Sequence, residues 1–197
     1  LADISIAGCQ EPLIMGKDNG NTTNSWLNLP KILEMTLTGG VSTVTGEKLV
    51  DVDACKLENI REEFYKNVEK FVAAMGECAN GASAALSTQR VPFLSCLMGG
   101  LENGIDARDT KRQGTKYNGS GCLIHGLTVL ADSFIAMDKY AEKYPEGFDR
   151  LVEAIRNNFE GYEDVREFLL ACPKFGNNIP EVDNEAAEIA NKVSDML

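Results

Sequence analysis

Apolar residues recur every three to four positions through most of this chain, and that period predicts helices. Leu29, Ile32, Leu33, Thr36 and Leu37 form one stripe, closed by Gly39-Gly40. A longer helix is predicted from about residue 58, with Ile60, Phe64, Val68, Phe71, Val72 and Met75 in step. Residues 122–144 read as a third helix, on Leu123, Leu127, Leu130, Phe134 and Met137. Two more are predicted over 145–159 and 162–171, the second stopping before Pro173. The last starts at Pro180 and carries Val182, Ala186, Ile189, Ala190, Val193 and Leu197. Residues 1–6 alternate as a strand does, residues 41–56 read as a short hairpin around Thr45-Gly46, and 92–101 fit strand or helix equally. Between these lie two polar, irregular stretches, 8–24 and 102–120, where no apolar period holds. The chain is predicted to be mostly helical, with its chemistry on the two loops.

Composition narrows the class. The 197 residues carry 19 Lys and Arg against 30 Asp and Glu, a formal net charge of −11, and 44% are hydrophobic. That is apolar enough for a core and too acidic to favour phosphate backbones or anionic lipid, so neither nucleic acid nor membrane is an expected partner. No apolar run reaches the roughly 18 residues of a membrane helix. Leu1 is not an initiator methionine and opens in mid-alternation, so the chain is expected to be one segment cut from a longer protein. The cysteines at 9, 55, 78, 96, 122 and 172 show no CxxC spacing, and His125 is the only histidine, so no metal site is expected. Free thiols in a reducing cytoplasm suit this pattern better than a disulfide framework.

Familiar chemistry fails residue by residue. Gly99 and Gly104 have phosphate-loop spacing, but Ile105-Asp106 stands where Lys-Ser/Thr is needed. Gly119-Ser120-Gly121 has Ile124 where a dinucleotide fold needs its third glycine. A serine triad would have only His125 as base and has no GxSxG turn. His125 sits among Leu123, Ile124 and Leu127, at the expected start of a helix, where a hydrogen-bonded core histidine is the plainer reading and a substrate contact the sharper one. Trp26 reads as a buried packing anchor or, more sharply, a wall of a substrate site. The strongest local pattern is Gly8-Cys9-Gln10-Glu11-Pro12, directly after the opening strand. A carboxylate two residues from the sulfur raises a thiol's pKa, so Glu11 argues against thiolate attack by Cys9. A thiyl radical needs no thiolate, and the carboxylate is then available as a general base.

These residues resemble the glycyl radical enzymes, the pyruvate formate-lyase superfamily, in its dehydratase and lyase branch. Gly8 to Pro12 is similar to that branch's cysteine loop, and Asn28-Leu29-Pro30-Lys31 through Gly39-Gly40 to the helix after it. Pro92-Phe93-Leu94-Ser95 resembles a barrel-strand segment. Tyr117-Asn118, Gly121, Gly126 and Ala131-Asp132-Ser133 follow the family's order, as do Cys172-Pro173-Lys174-Phe175-Gly176-Asn177-Asn178 and Val182-Asp183.

The resemblance implies a segment, 1–197, of an α/β parent with a ten-stranded barrel, lacking the N-terminal half-barrel and the glycyl radical domain. It implies Cys9 as the hydrogen-abstracting thiyl and Glu11 as the base, in a lyase or dehydratase that breaks a C–O, C–N or C–S bond of a small molecule. Tyr117, Trp26 and His125 become substrate-contact candidates. No cofactor is expected on this segment. A glycyl radical outside it would be installed by an iron–sulfur, S-adenosylmethionine-dependent activase, on a homodimeric parent in the cytoplasm or a bacterial microcompartment. Gly8 stands where pyruvate formate-lyase itself has a second cysteine, which argues against acyl transfer from pyruvate. The family's Arg-Val-x-Gly-Tyr motif does not occur in the 197 residues. A glycyl radical decarboxylase of aryl- or alkylacetates, and a non-catalytic helical interaction domain, remain the alternatives.

Overall fold

The computed structural model describes residues 3–7, 11–18, 21–52, 55–109, 111–112, 114–117 and 120–197. Strands β1 (Ile4–Ala7), β2 (Glu11–Ile14) and β3 (Asn21–Asn28) lead into helices α1 (Leu29–Thr38) and α2 (Ile60–Ser87). Short helices α3 (Pro92–Leu97) and α4 (Gly100–Asn103) precede β4 (Ser120–His125). Helices α5 (Leu127–Lys143), α6 (Phe148–Arg156), α7 (Glu163–Ala171) and α8 (Pro180–Met196) complete the chain. The expectation of a mainly helical segment with a few short strands holds. The residues group into two compact units, Leu1–Leu27 with Ala73–Leu123, and Asn28–Val72 with Ile124–Leu197.

The second unit is a helical core built on α1 and α5. Helix α1 forms where its stripe and both caps agree. Asn28 accepts the Lys31 N–H at 3.1 Å, Pro30 sits in the first turn, and Gly39 closes the end at φ 72°. Leu29, Ile32, Leu33, Thr36 and Leu37 are all buried, as their spacing predicts. Helix α5 packs against α1, α7 and α8, and Phe64 of α2 meets Phe134 of α5 edge to face at 5.4 Å. Arg61 staples three helices. Its Nη1 and Nη2 donate to Asp138 at 2.9 and 2.8 Å, its Nη2 and Nε reach Glu185 at 3.3 and 3.4 Å, and its guanidinium lies 4.6 Å from the Phe134 ring centre. The 41–56 hairpin shrinks to a tight turn with one bridge, Val41 to Lys48, held by Glu34. That carboxylate accepts from Lys31 Nζ at 2.6 Å and from the Thr43 N–H at 2.7 Å.

In three places the structure departs from the pattern. Residues 8–24 are not one loop, because β2 pairs antiparallel with β1 and β3 starts at Asn21. Glu11–Ile14 has no clear alternation of its own, so its partner strand supplies the order. The helix expected from 122 starts at Leu127, and Ser120–His125 is a strand paired with β3. Gly126 separates the two at φ 78°, a conformation that ends either element. Finally Pro92–Ser95, likened to a barrel strand, opens helix α3, with Pro92 in its first turn and the Ser95 hydroxyl donating back to the Val91 carbonyl at 2.8 Å.

Candidate active site

The first unit holds the cysteine motif. Strands β1 and β2 pair Ile4 with Ile14, Ser5 with Leu13, Ile6 with Pro12 and Ala7 with Glu11. Cys9 lies outside the described residues, and of Glu11 only the backbone is described. Pro12 has no N–H to give, which a two-stranded ribbon tolerates because each strand has an open edge. Beyond the pairing, the Met15 N–H donates to the Asp3 carbonyl at 2.9 Å and Lys17 Nζ to Asp3 at 2.8 Å. The salt bridge, chiefly its hydrogen bond, holds the Asp3 carboxyl below its ordinary range and raises the Lys17 ammonium.

Tyr117 is tied to this hairpin. Its N–H donates to the Lys17 carbonyl at 2.9 Å, and Asp18 and Tyr117 form a parallel bridge. The tie lies past Ile14, at the end of the hairpin away from residues 8–10. The loop leading to Tyr117 is fixed by its own hydrogen bonds. Asp106 accepts from the N–H groups of Val91 at 2.8 Å and Arg108 at 3.0 Å, while the Ala107 N–H donates to Ser95 Oγ at 2.8 Å. Desolvation pushes the Asp106 carboxyl up, and the hydrogen bonds outweigh it to hold the group below its ordinary value. Gly114 packs so closely that a Cβ would lie 1.8 Å from the Asp106 carbonyl oxygen. Thr115 is buried, and its hydroxyl donates to the Tyr117 carbonyl at 3.0 Å. Asp106 and Asp109 cap turns through the N–H groups two and three residues on, a signal present in Asp-Ala-Arg-Asp-Thr-Lys-Arg that apolar periodicity does not register.

The other two candidates lie differently from the plain expectation. Trp26, on β3, is 63% exposed, so within this chain it is not a buried anchor. His125 ends β4 instead of starting a helix, and its side chain is exposed. Trp26 belongs with Tyr117 to the first unit and His125 to the second. Among the described residues no cluster of three His, Cys, Asp or Glu side chains is arranged to hold a metal. The five described cysteines are free thiols, and burial pushes the Cys55 and Cys172 thiols up. In the second unit two segments of the matched order meet, where Asp132 Oδ1 accepts the Phe175 N–H at 2.7 Å.

A family model described as pyruvate formate lyase-like matches residues 1–197. The chain belongs to that family. It is 28% identical over 193 residues to the trans-4-hydroxy-L-proline dehydratase of Clostridioides difficile, covering 94% of this chain and 24% of that one. Among solved structures it is similar to a glycyl radical enzyme from Archaeoglobus fulgidus, at 27% identity and a TM-score of 0.85, over 98% of this chain and 25% of that one. It is likewise similar to the glycerol-bound B12-independent glycerol dehydratase of Clostridium butyricum, at 26% identity and a TM-score of 0.84, again over 98% and 25%. The chain thus spans about a quarter of the length of these glycyl radical relatives. No described helix is long and apolar enough to cross a membrane.

Proposed function

We propose that this chain is the cysteine-loop segment of a glycyl radical lyase or dehydratase. The observation that carries the reading is Gly8-Cys9-Gln10-Glu11-Pro12 between strands whose register closes at Ala7 and Glu11, in a chain of this family. The parent is a ten-stranded α/β barrel that encloses the loop and keeps water and oxygen from the radical. The family's glycyl radical, on a residue outside this chain, supplies the power to break an S–H bond. Cys9 gives up its sulfur-bound hydrogen and, as a thiyl, takes one from a substrate carbon that bears a hydroxyl. Glu11 accepts the hydroxyl proton while the neighbouring group leaves with its bonding pair, breaking a C–O, C–N or C–S bond. Cys9 then returns its hydrogen to the product radical and is a thiyl again. Trp26, Tyr117 and His125 contribute substrate contacts. An iron–sulfur, S-adenosylmethionine-dependent activase is the partner that installs the radical on a homodimeric parent, in the cytoplasm or a microcompartment.

The test is product analysis beside electron paramagnetic resonance on two variants of the full enzyme. Glu11→Gln keeps the shape and removes the basicity, so elimination falls by about 10²–10⁴-fold with the glycyl radical signal intact. Cys9→Ser abolishes turnover while the radical still accumulates, because an O–H bond resists abstraction. Full turnover in Glu11→Gln removes the base from the mechanism, and turnover in Cys9→Ser removes the thiyl.

A further inference from the structure

Within this chain, none of the described side chains of β1 and β2 is buried, and Ile4 and Ile6 are 49% and 71% exposed. Strand register is strongly specified where one face is buried, so burial does little to specify it here. A slip of two residues would keep every side chain on its face and move one strand about 7 Å along the other. The register is marked instead just beyond the Ile4–Ile14 pair. There the Met15 N–H donates to the Asp3 carbonyl at 2.9 Å. Gly16, at φ 70°, then turns the chain, and the N–H groups of Lys17 and Asp18 donate to the Ile14 carbonyl at 3.0 and 2.9 Å. After this turn the Lys17 ammonium donates to the Asp3 carboxylate at 2.8 Å, and the Lys17 carbonyl accepts the Tyr117 N–H at 2.9 Å. An exposed ion pair adds little to overall stability, and a solvated surface contact is its plain reading. This lysine differs in holding two segments at once, the start of β1 by its side chain and Tyr117 by its main chain.

We infer that Lys17 is a positioning residue for the proton transfer assigned to Glu11. It fixes the register of the β1–β2 ribbon, and with it the place of the Glu11 backbone relative to Tyr117. The inference rests on the reading of Glu11 as the base given above and adds a residue to that machinery. Four residue steps separate Asp3 from Ala7, the partner of Glu11, about 13 Å along the strand. An ammonium held at Asp3 therefore acts through the ribbon and not on the substrate. A base set even about 1 Å from its proper place can cost about 100-fold in rate. The carbonyl that holds Tyr117 belongs to the backbone and survives a change of side chain, so the ammonium can be removed by itself.

The experiment uses the full-length enzyme with its radical installed and quantified. It is offered small compounds with a hydroxyl beside a leaving group, such as propane-1,2-diol, 2-aminoethanol and 2-hydroxyethane-1-sulfonate. For the compound turned over best, Lys17→Met is expected to lower kcat about 10–100-fold, with radical yield and thermal midpoint unchanged. Exchanging the two charges, Asp3→Lys with Lys17→Asp, is expected to recover most of that loss. In a Glu11→Gln background, Lys17→Met should cost no more than about twofold further, since a base already removed cannot be misplaced. An unchanged kcat in Lys17→Met, or a loss that multiplies fully with that of Glu11→Gln, overturns the inference and leaves the lyase reading standing. A thermal midpoint that falls with kcat, or no recovery in the exchanged pair, makes the residue structural and overturns its role. Full turnover in Glu11→Gln, or a full radical signal with no compound turned over, overturns the reading of the base, and this inference with it.

Discussion

Glu34 shows how one side chain can organise a turn that has almost no sheet. Its carboxylate accepts from Lys31 Nζ, the Thr43 N–H and the Thr43 hydroxyl, at 2.6, 2.7 and 2.9 Å. Desolvation works to raise its pKa, and the hydrogen bonds from Lys31 and Thr43 overcome that and lower it. A carboxyl whose pKa is depressed on folding adds stability above its unfolded value, and the contribution is lost as pH falls through the folded one. The stability curve of the protein carrying this chain is therefore expected to steepen below about pH 4.5, the ordinary value for this group. Glu34→Gln should flatten that acid limb while lowering the plateau, as read from thermal midpoints against pH. An unchanged acid limb in the variant assigns the effect elsewhere. At the same scale, Cys9 and Glu11 are singled out by the sequence alone, where a thiol and a carboxylate stand two residues apart. The tie between Tyr117 and Lys17 is not, since nothing local marks a backbone hydrogen bond across so much chain.

Among the elements, two glycines with nearly the same backbone are expected to behave differently. Gly39 ends α1 at φ 72° with nothing within 4 Å of where a Cβ would go. Gly126 joins β4 to α5 at φ 78°, and there a Cβ would lie 2.4 Å from two carbons of the Pro30 ring. Gly39→Ala should cost about 1–2 kcal/mol from the left-handed backbone alone. Gly126→Ala meets the same penalty and a clash with a rigid ring, so its loss should be larger by about 1–3 kcal/mol. Pro30→Ala should rescue part of the second loss and none of the first, measured as a double-mutant cycle on thermal unfolding. Additivity in the Gly126–Pro30 cycle would rule the clash out. The same glycine explains an error of reading. Leu123 and Leu127 stand four apart and continue the α5 stripe, yet pairing with β3 sets Leu123 in a strand. Helix α1 was legible because its stripe and its Gly39 stop are both local, while its Asn28 cap shows only in the structure. Strand β2 was not, because its order comes from β1.

For the whole molecule, the decisive fact is the share of the family's length that the chain represents, about a quarter. The mechanism proposed above runs through a radical outside this chain, inside a barrel that this chain only partly supplies, and on that reading it should not proceed on the 197 residues alone. After treatment with an activase, the isolated chain is expected to give no lyase product and no glycyl radical signal. Turnover by the isolated chain would overturn the radical mechanism. The Arg61 staple has a consequence in time. Its partners Asp138 and Glu185 lie 77 and 124 residues further along the chain. At a synthesis rate of about 5–20 residues per second, Arg61 leaves the ribosome about 4–15 s before Asp138 and about 6–25 s before Glu185. Helix α2 therefore spends that interval with Phe64 and Val68 uncovered and its guanidinium unanswered. Its place in the core is settled only when α8, the last helix of this chain, has been made.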